Sequence, residues 1–156
     1  MVPMELSRII INETHDEQLI VLKETDGDRA FPIVIGMYEA VTIDRNIKGK
    51  KTPRPMTHDL LEHVIHHLDA NLERIVVTDL RDRTFFAKLI LRRNGESLEV
   101  DSRPSDAIAL AIQMEAPIYV EESVLEEITP EENFPGFPPP FFSPDEDEEP
   151  DEDDMV

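Results

Sequence analysis

The residues best suited to chemistry lie in the segment DSRPSDAIALA, which begins at Asp101. Pro104 favours the first turn of a helix, because the N–H that proline lacks is not needed there. The free N–H groups of that turn, the Ser105 hydroxyl and the Arg103 guanidinium can together receive a phosphate or another anion. Asp101 and Asp106 bracket the same place, where they can hold a divalent cation such as Mg²⁺ or Mn²⁺ or position a water molecule.

The same residues also have a purely structural interpretation. Asp106 can be an acid that the helix dipole favours, with Arg103 as its ion-pair partner and Ser105 as a capping hydroxyl. Spacing alone favours this interpretation over a catalytic one.

A second candidate segment, residues 45–55, holds five basic residues in a chain otherwise poor in them. A flexible cationic loop is a natural contact for a nucleic acid backbone. Lys50, Lys51 and Arg54 are therefore candidate phosphate contacts. An equally good alternative is that the segment is an ordinary solvated loop whose charges balance those of nearby acids.

Four of the five histidines follow this loop, in a segment predicted to be helical. They do not form the His-Glu-x-x-His pattern of a zinc site, and we expect His63 and His66 to lie on the surface. His58 differs, because it stands at the start of the helix directly after the basic loop. Histidine is the side chain type that titrates near neutral pH, so His58 is the best candidate for a general acid or base.

The predicted helix has clear boundaries and one apolar face. Thr57 is the predicted N-cap, Asp59 lies in the first turn, and Asn71 is the predicted end. An apolar stripe at helical spacing is expected to face the core; it consists of Leu60, Leu61, Val64, Ile65 and Leu68.

The elements around these segments repeat. Three predicted strands precede a helix in each half of the chain; they cover residues 4–12, 18–23 and 30–35, then 74–79, 84–92 and 97–100. The predicted hairpin turns Asp26-Gly27 and Asn94-Gly95 lie 68 positions apart, and Glu39 precedes Asp106 by 67. We therefore predict an α+β fold of duplicated β-β-β-α units that share one mixed, barrel-like sheet with helices packed outside. Glu39 then holds in the first half the place of Asp106 in the second.

Composition limits the class of protein. The chain has 156 residues, no cysteine, and no run of about 20 apolar residues that could span a membrane, which favours a cytoplasmic protein. Its net charge is −20, and residues 1–129, with 24 acidic and 15 basic residues, still carry −9, which is unusual for a nucleic acid binder. The Gly-rich phosphate loop, the Gly-x-Ser-x-Gly elbow and the dinucleotide fingerprint are missing, which excludes those kinase, esterase and Rossmann classes.

The end of the chain differs from the rest. Residues 130–156 combine prolines and four phenylalanines with 11 acids and no Lys or Arg, so we predict a folded domain at 1–129 and a disordered tail at 130–156. This tail is expected to aid solubility or to shield a basic site, and its Phe/Pro stretch can bind a protein partner or its own domain.

Two of these segments resemble the bifunctional nuclease domain family. The resemblance rests on RPMTHDLL from Arg54, on DSRPSDAIALA followed by APIYV from Ala116, and on FPIVIG with Glu39-Ala40. It covers roughly residues 4–128, and its most specific part is the stretch RPSDAIALA.

The resemblance implies hydrolysis of phosphodiester bonds in RNA and DNA, and it also suggests a homo-oligomer. It supplies no settled set of catalytic residues, so the roles are our own hypothesis. Asp101, Asp106 and Glu39 bind a metal or activate water, and His58 shuttles a proton. Phosphate is held by Arg103 and Arg54, helped by Ser105, Lys50 and Lys51. The alternative is a non-catalytic module of the same fold that binds an anion or a protein.

Overall fold

The computed structural model describes residues 1–12, 14 and 17–128 of the chain, and these form seven strands and four helices. The strands are β1 (Val2–Ile10), β2 (Glu17–Glu24), β3 (Ala30–Gly36), β4 (Ala70–Arg81), β5 (Thr84–Arg93), β6 (Glu96–Ser102) and β7 (Ile118–Val120). The helices are α1 (Met37–Ile47), α2 (Thr57–His67), α3 (Pro104–Gln113) and α4 (Glu122–Glu127). The predicted tail lies outside the described residues. Within them, no helix is both long and apolar enough to cross a membrane.

All seven strands join one sheet, in the order β3-β2-β1-β7-β4-β5-β6. Every neighbouring pair is antiparallel except β4 and β7, which run parallel, so the sheet is mixed. It curls into half a barrel, which confirms the predicted α+β class. The three-stranded halves lie on either side of the short strand β7, and their duplication stays a prediction.

The two predicted hairpin turns have different outcomes. Asn94 and Gly95 both have positive φ, at 50° and 76°, as a two-residue turn between twisted strands requires. Asp26-Gly27 instead lies within a longer connection, in which the Glu24 N–H donates to the carbonyl of Arg29. Neither Asp26 nor Gly27 has a positive φ, so the prediction of a two-residue turn at this place was wrong.

Helix α3 forms the centre of the core. Its residues 107–111 are buried on every side of the helix, as their small apolar side chains predicted. Small side chains let neighbouring backbones approach closely, and α3 packs against α1, α2, β4 and β5. The start of α3 is thereby fixed beside the starts of the other two long helices.

Helix α2 differs from its prediction. Met56 is its N-cap rather than Thr57, and it ends at His67 because Asp69 adopts a positive φ of 57°. Asn71, the predicted end, lies in β4.

The predicted apolar stripe of α2 is mostly not buried. Ile65 is buried, whereas Leu60, Leu61, Val64 and Leu68 are 42–56% exposed. The buried face instead follows residues 58, 62 and 65, because His58 and Glu62 have polar partners on α3.

Helix α4 begins at Glu122, directly after its N-cap Glu121.

Candidate active site at three helix N-termini

The first turns of α1, α2 and α3 meet at one place. Each carries a carboxylate at its third helical position: Glu39 in α1, Asp59 in α2 and Asp106 in α3. Acids are favoured there because the first backbone N–H groups are unpaired and the helix dipole is positive at that end. Glu39, Asp59 and Asp106 thus hold equivalent positions in their helices.

Four side chains from these turns form one continuous chain of polar contacts. Arg103 donates from Nη2 to Glu39 Oε1 at 2.6 Å and from Nε to Asp106 Oδ2 at 2.9 Å, and its Nη2 also lies 2.8 Å from the same Asp106 oxygen in an ion pair. The other oxygen of Asp106, Oδ1, lies 3.0 Å from His58 Nε2. The structure therefore brings together Glu39, His58, Arg103 and Asp106, which are up to 67 positions apart in the sequence. This chain of residues is called the acid–arginine cluster below.

Exposure differs sharply along the acid–arginine cluster. The side chains of Glu39 and His58 are 10% and 3% exposed, whereas that of Arg103 is 65% exposed. Hydrogen bonds to Glu39 first and to Asp106 second raise the pKa of the Arg103 guanidinium above its ordinary value. The cluster therefore presents a permanent cation to solvent, held from beneath by two carboxylates.

The carboxylate of Glu39 depends on the glycine that precedes α1. Gly36 is the N-cap, in extended backbone, and a Cβ there would lie 2.5 Å from Glu39 Oε2. The missing side chain leaves room for Glu39 to fold back over the first turn, and from there its other oxygen accepts from Arg103.

His58 is enclosed within the cluster. Its Nε2 faces Asp106, while Nδ1 is buried and has no hydrogen-bond partner among the described residues. The Tyr38 ring stacks on the imidazole at 6.1 Å between centroids, and the Tyr38 hydroxyl donates to Thr57 Oγ1 at 3.1 Å. The arrangement suits a residue that orients Asp106 or exchanges a proton with it better than one that reaches substrate directly.

A second polar layer ties the three helices together behind the cluster. Gln113, at the end of α3, donates from Nε2 to Glu62 Oε2 at 2.6 Å and to the His58 carbonyl at 3.3 Å. Its Oε1 accepts from Asn46 of α1 at 3.2 Å. Sequence reasoning missed these residues and Tyr38, because none belongs to a motif and their partners are distant in sequence.

The remaining predicted residues lie at different depths around this place. Asp101 is exposed on β6, opposite Lys88 of β5, and its side chain has no hydrogen bond or ion pair within the described part of the chain. Ser105 is buried in the first turn of α3.

The basic candidates lie in the loop between α1 and α2. Lys50, Lys51 and Arg54 are exposed and form no ion pair with any described residue, and Arg54 stands two residues before the N-cap Met56. These basic side chains are therefore available to an external anion.

The predicted metal site at Asp101 and Asp106 stays a prediction. The described residues contain no group of three or more His, Cys, Asp or Glu side chains that could hold a metal ion. Each oxygen of Asp106 has a partner, His58 or Arg103, and keeps a second lone pair. Mg²⁺ in proteins is often bound by only one or two carboxylates together with water and substrate phosphates, and Asp101 and Asp106 would be such ligands.

Comparison with known proteins decides the family. The model of the bifunctional nuclease domain matches residues 20–133, which is most of the chain. This chain belongs to the bifunctional nuclease domain family. The match includes every member of the acid–arginine cluster, and it confirms the resemblance found in the sequence.

Relatives of the chain occur in bacteria and plants. An uncharacterized protein of Mycobacterium tuberculosis is 41% identical over 117 residues, which cover 75% of this chain and 70% of that protein. Bifunctional nuclease 1 of Oryza sativa subsp. indica is 23% identical over 118 residues, and Bifunctional nuclease 1 of Arabidopsis thaliana is 29% identical over 105. These matches cover 73% and 65% of this chain but only 36% and 32% of the plant proteins.

Proposed function

We propose that this protein is a nuclease that hydrolyses phosphodiester bonds of RNA and DNA at the acid–arginine cluster. The observation that carries the proposal is the exposed Arg103 guanidinium, held by Glu39 and Asp106 where the N-termini of α1 and α3 meet. Membership of the bifunctional nuclease domain family supports this activity.

Arg103 would bind the scissile phosphate. Two of its nitrogens, Nε and Nη2, are used by the carboxylates, and Nη1 has no partner among the described residues. The N–H groups of Nη1 can donate to a phosphate oxygen, and the positive charge of the guanidinium strengthens that contact. The two carboxylates hold the guanidinium in place before substrate arrives, which reduces the ordering cost of binding.

Asp106 would activate the attacking water. Its carboxylate is partly exposed and accepts the water proton as the water oxygen bonds to phosphorus and the P–O bond of the leaving group breaks. The leaving oxygen takes a proton from solvent and Asp106 then releases its own proton to solvent, so the products are a phosphate monoester and an alcohol. The contact between His58 and Asp106 orients the carboxylate and offers the abstracted proton a second position.

The acidity of the protein does not prevent contact with a polyanion. The basic loop offers Lys50, Lys51 and Arg54 just before α2, and the helix N-termini add partial positive charge. Binding through so few cations predicts a shallow dependence on salt, because each phosphate contact adds about 0.7–0.9 to the slope of log K against log salt.

Cleavage assays with matched variants test the proposal. Purified full-length protein is incubated with single-stranded RNA and DNA, with Mg²⁺, with Mn²⁺ and with chelator. We expect cleavage by the wild type and a loss of about 100-fold or more in Asp106→Asn, the range for a missing general base. Asp101→Asn is the matched comparison, since Asp101 lies outside the cluster.

Each outcome of this assay decides a separate point. Cleavage that persists unchanged in a folded Asp106→Asn protein comes from a contaminant or another site and refutes the assignment. Cleavage lost in chelator and in Asp101→Asn would support the predicted metal at Asp101 and Asp106.

The alternative is a non-catalytic module that binds an anion or a protein. The observation that favours it is that Arg103 already has two carboxylate partners, so the cluster also works as a structural ion-pair network. Such a module predicts salt-dependent binding of a single-stranded oligonucleotide without any cleavage. A homo-oligomer and a cytoplasmic location stay predictions.

A further inference from the structure

Helix α2 carries an apolar surface that no described residue covers. Leu60, Leu61, Val64 and Leu68 lie on one side of the helix, beside the face that packs on α3. The half-exposed Met56 extends the same surface to the N-terminus of the helix. A contiguous apolar stripe on a soluble protein usually marks a place where another segment binds. These five residues are called the α2 stripe.

The sequence outside the described residues contains a segment of matching chemistry. Four phenylalanines stand within nine positions, and an acidic run of nine Asp and Glu residues follows between 145 and 154; the phenylalanines are Phe134, Phe137, Phe141 and Phe142. We propose that residues 134–142 bind the α2 stripe of their own chain and place the acidic run beside the basic loop. The proposal stands independently of nuclease activity.

The chain is long enough for this contact. The described part ends at Ile128, just after α4, whose N-cap Glu121 donates its N–H to the carbonyl of Val77 in β4. Val77 lies seven residues, or about 23 Å of strand, from Ala70, which follows the end of α2. Phe134 stands six positions after Ile128 and Phe142 fourteen, and extended chains of those lengths span about 20–22 Å and 46–50 Å. A domain of this size has a radius of gyration of only about 14 Å.

Charge sets the direction of binding. If the phenylalanines lie along the α2 stripe from Leu68 towards Met56, the acidic run continues past the N-terminus of α2. That end has a positive dipole, and the neighbouring Lys50, Lys51 and Arg54 form no ion pair with described residues. The apolar and the charged parts of the segment then both meet complementary surfaces.

A segment of the same chain competes well with a second copy of the chain for this surface. A segment of the same chain avoids the loss of translational freedom that association costs, so it competes at high effective concentration.

A spin label tests the contact. The chain has no cysteine, so Ser143→Cys in the full-length protein provides a unique site for a nitroxide directly after the phenylalanines. We expect strong loss of amide NMR intensity for residues 60–68 in the labelled protein and recovery after reduction of the nitroxide. The matched control is the same label in Leu60→Ser/Val64→Ser, whose two changes lie on exposed side chains outside the acid–arginine cluster. The intensity loss should disappear in that control.

Two results would overturn the proposal. One is full intensity for residues 60–68 in labelled protein. The other is intensity loss that appears only when labelled chains are mixed with isotope-labelled chains that lack the nitroxide. That result would assign the α2 stripe to a second copy.

Discussion

Replacement of Arg103 tests whether the acid–arginine cluster stabilises the fold as well as the site. In Arg103→Gln, Glu39 loses its 2.6 Å contact with a guanidinium while its own side chain stays only 10% exposed. A carboxylate left without its cation in a poorly solvated place is destabilised.

The expected loss in the free energy of unfolding follows from how exposed the side chains of Glu39 and Arg103 are. Breaking a fully buried pair costs about 3–5 kcal/mol, and a fully exposed pair contributes about 0.2–1 kcal/mol. Here Glu39 is nearly buried but the guanidinium is mostly exposed, so solvent screens the pair, and we expect a loss of about 2 kcal/mol. With a urea slope of about 2 kcal/mol per molar, the unfolding midpoint falls by about 1 M.

Urea unfolding of a double-mutant cycle provides the assay. Glu39→Gln, Arg103→Gln and the double variant are compared with the wild type, and we expect a coupling energy of about 1–2 kcal/mol. Lys88→Gln is the matched control, since Lys88 contacts Glu99 at 3.0 Å with both side chains exposed. That control should lose about 0.5 kcal/mol. Equal losses in Lys88→Gln and Arg103→Gln would refute the argument that the burial of Glu39 gives the pair its strength.

Three further predictions concern single residues. His58→Asn removes the contact of Nε2 with Asp106, so we expect a fall in kcat with little change in KM in steady-state cleavage assays. An unchanged kcat would exclude a role for His58 in orienting the carboxylate. Gly36→Ala keeps an allowed backbone but places a Cβ against Glu39, so phosphate affinity should fall while the free energy of unfolding changes by about 1 kcal/mol or less; unchanged affinity would contradict the folded-back position of Glu39. Arg29 donates to Glu122 at 2.6 Å and lowers the pKa of that carboxyl, so the pair stabilises the fold above the ordinary carboxyl pKa and loses this contribution as the pH falls through the lowered one. Arg29→Gln should therefore weaken the fall in stability on acidification, and identical unfolding curves at every pH would refute it.

The sequence predicted the elements that depend on local patterns. The buried centre of α3 follows from its run of small apolar residues, and the turn at Asn94-Gly95 follows from positive φ. The family was recognisable because its most specific stretch, which begins at Arg103, is continuous in the chain. Asp26-Gly27 shows where such local patterns fail. This pair of residues lies in a longer connection, because the pairing of β2 with β3 ends at Lys23 and Ala30.

Other features were decided only by tertiary structure. The apolar side chains of α2 occur at helical spacing, yet which side of the helix faces the core depends on the polar partners of His58 and Glu62 across the helix interface. No pattern in one segment contains that information. The separation of Asp101 from the cluster is likewise set by strand pairing, which keeps Asp101 on β6 opposite Lys88.

The sequence by itself determined which residue types were available: an acid at the third position of three helices, an arginine before one of them, and a histidine in another. Only the packing of α1, α2 and α3 decided that Glu39, Arg103, Asp106 and His58 share one set of contacts. The physical reason is that helix starts are fixed locally by backbone hydrogen bonds and dipoles, whereas their mutual approach depends on burying the small apolar residues of α3 against the other elements.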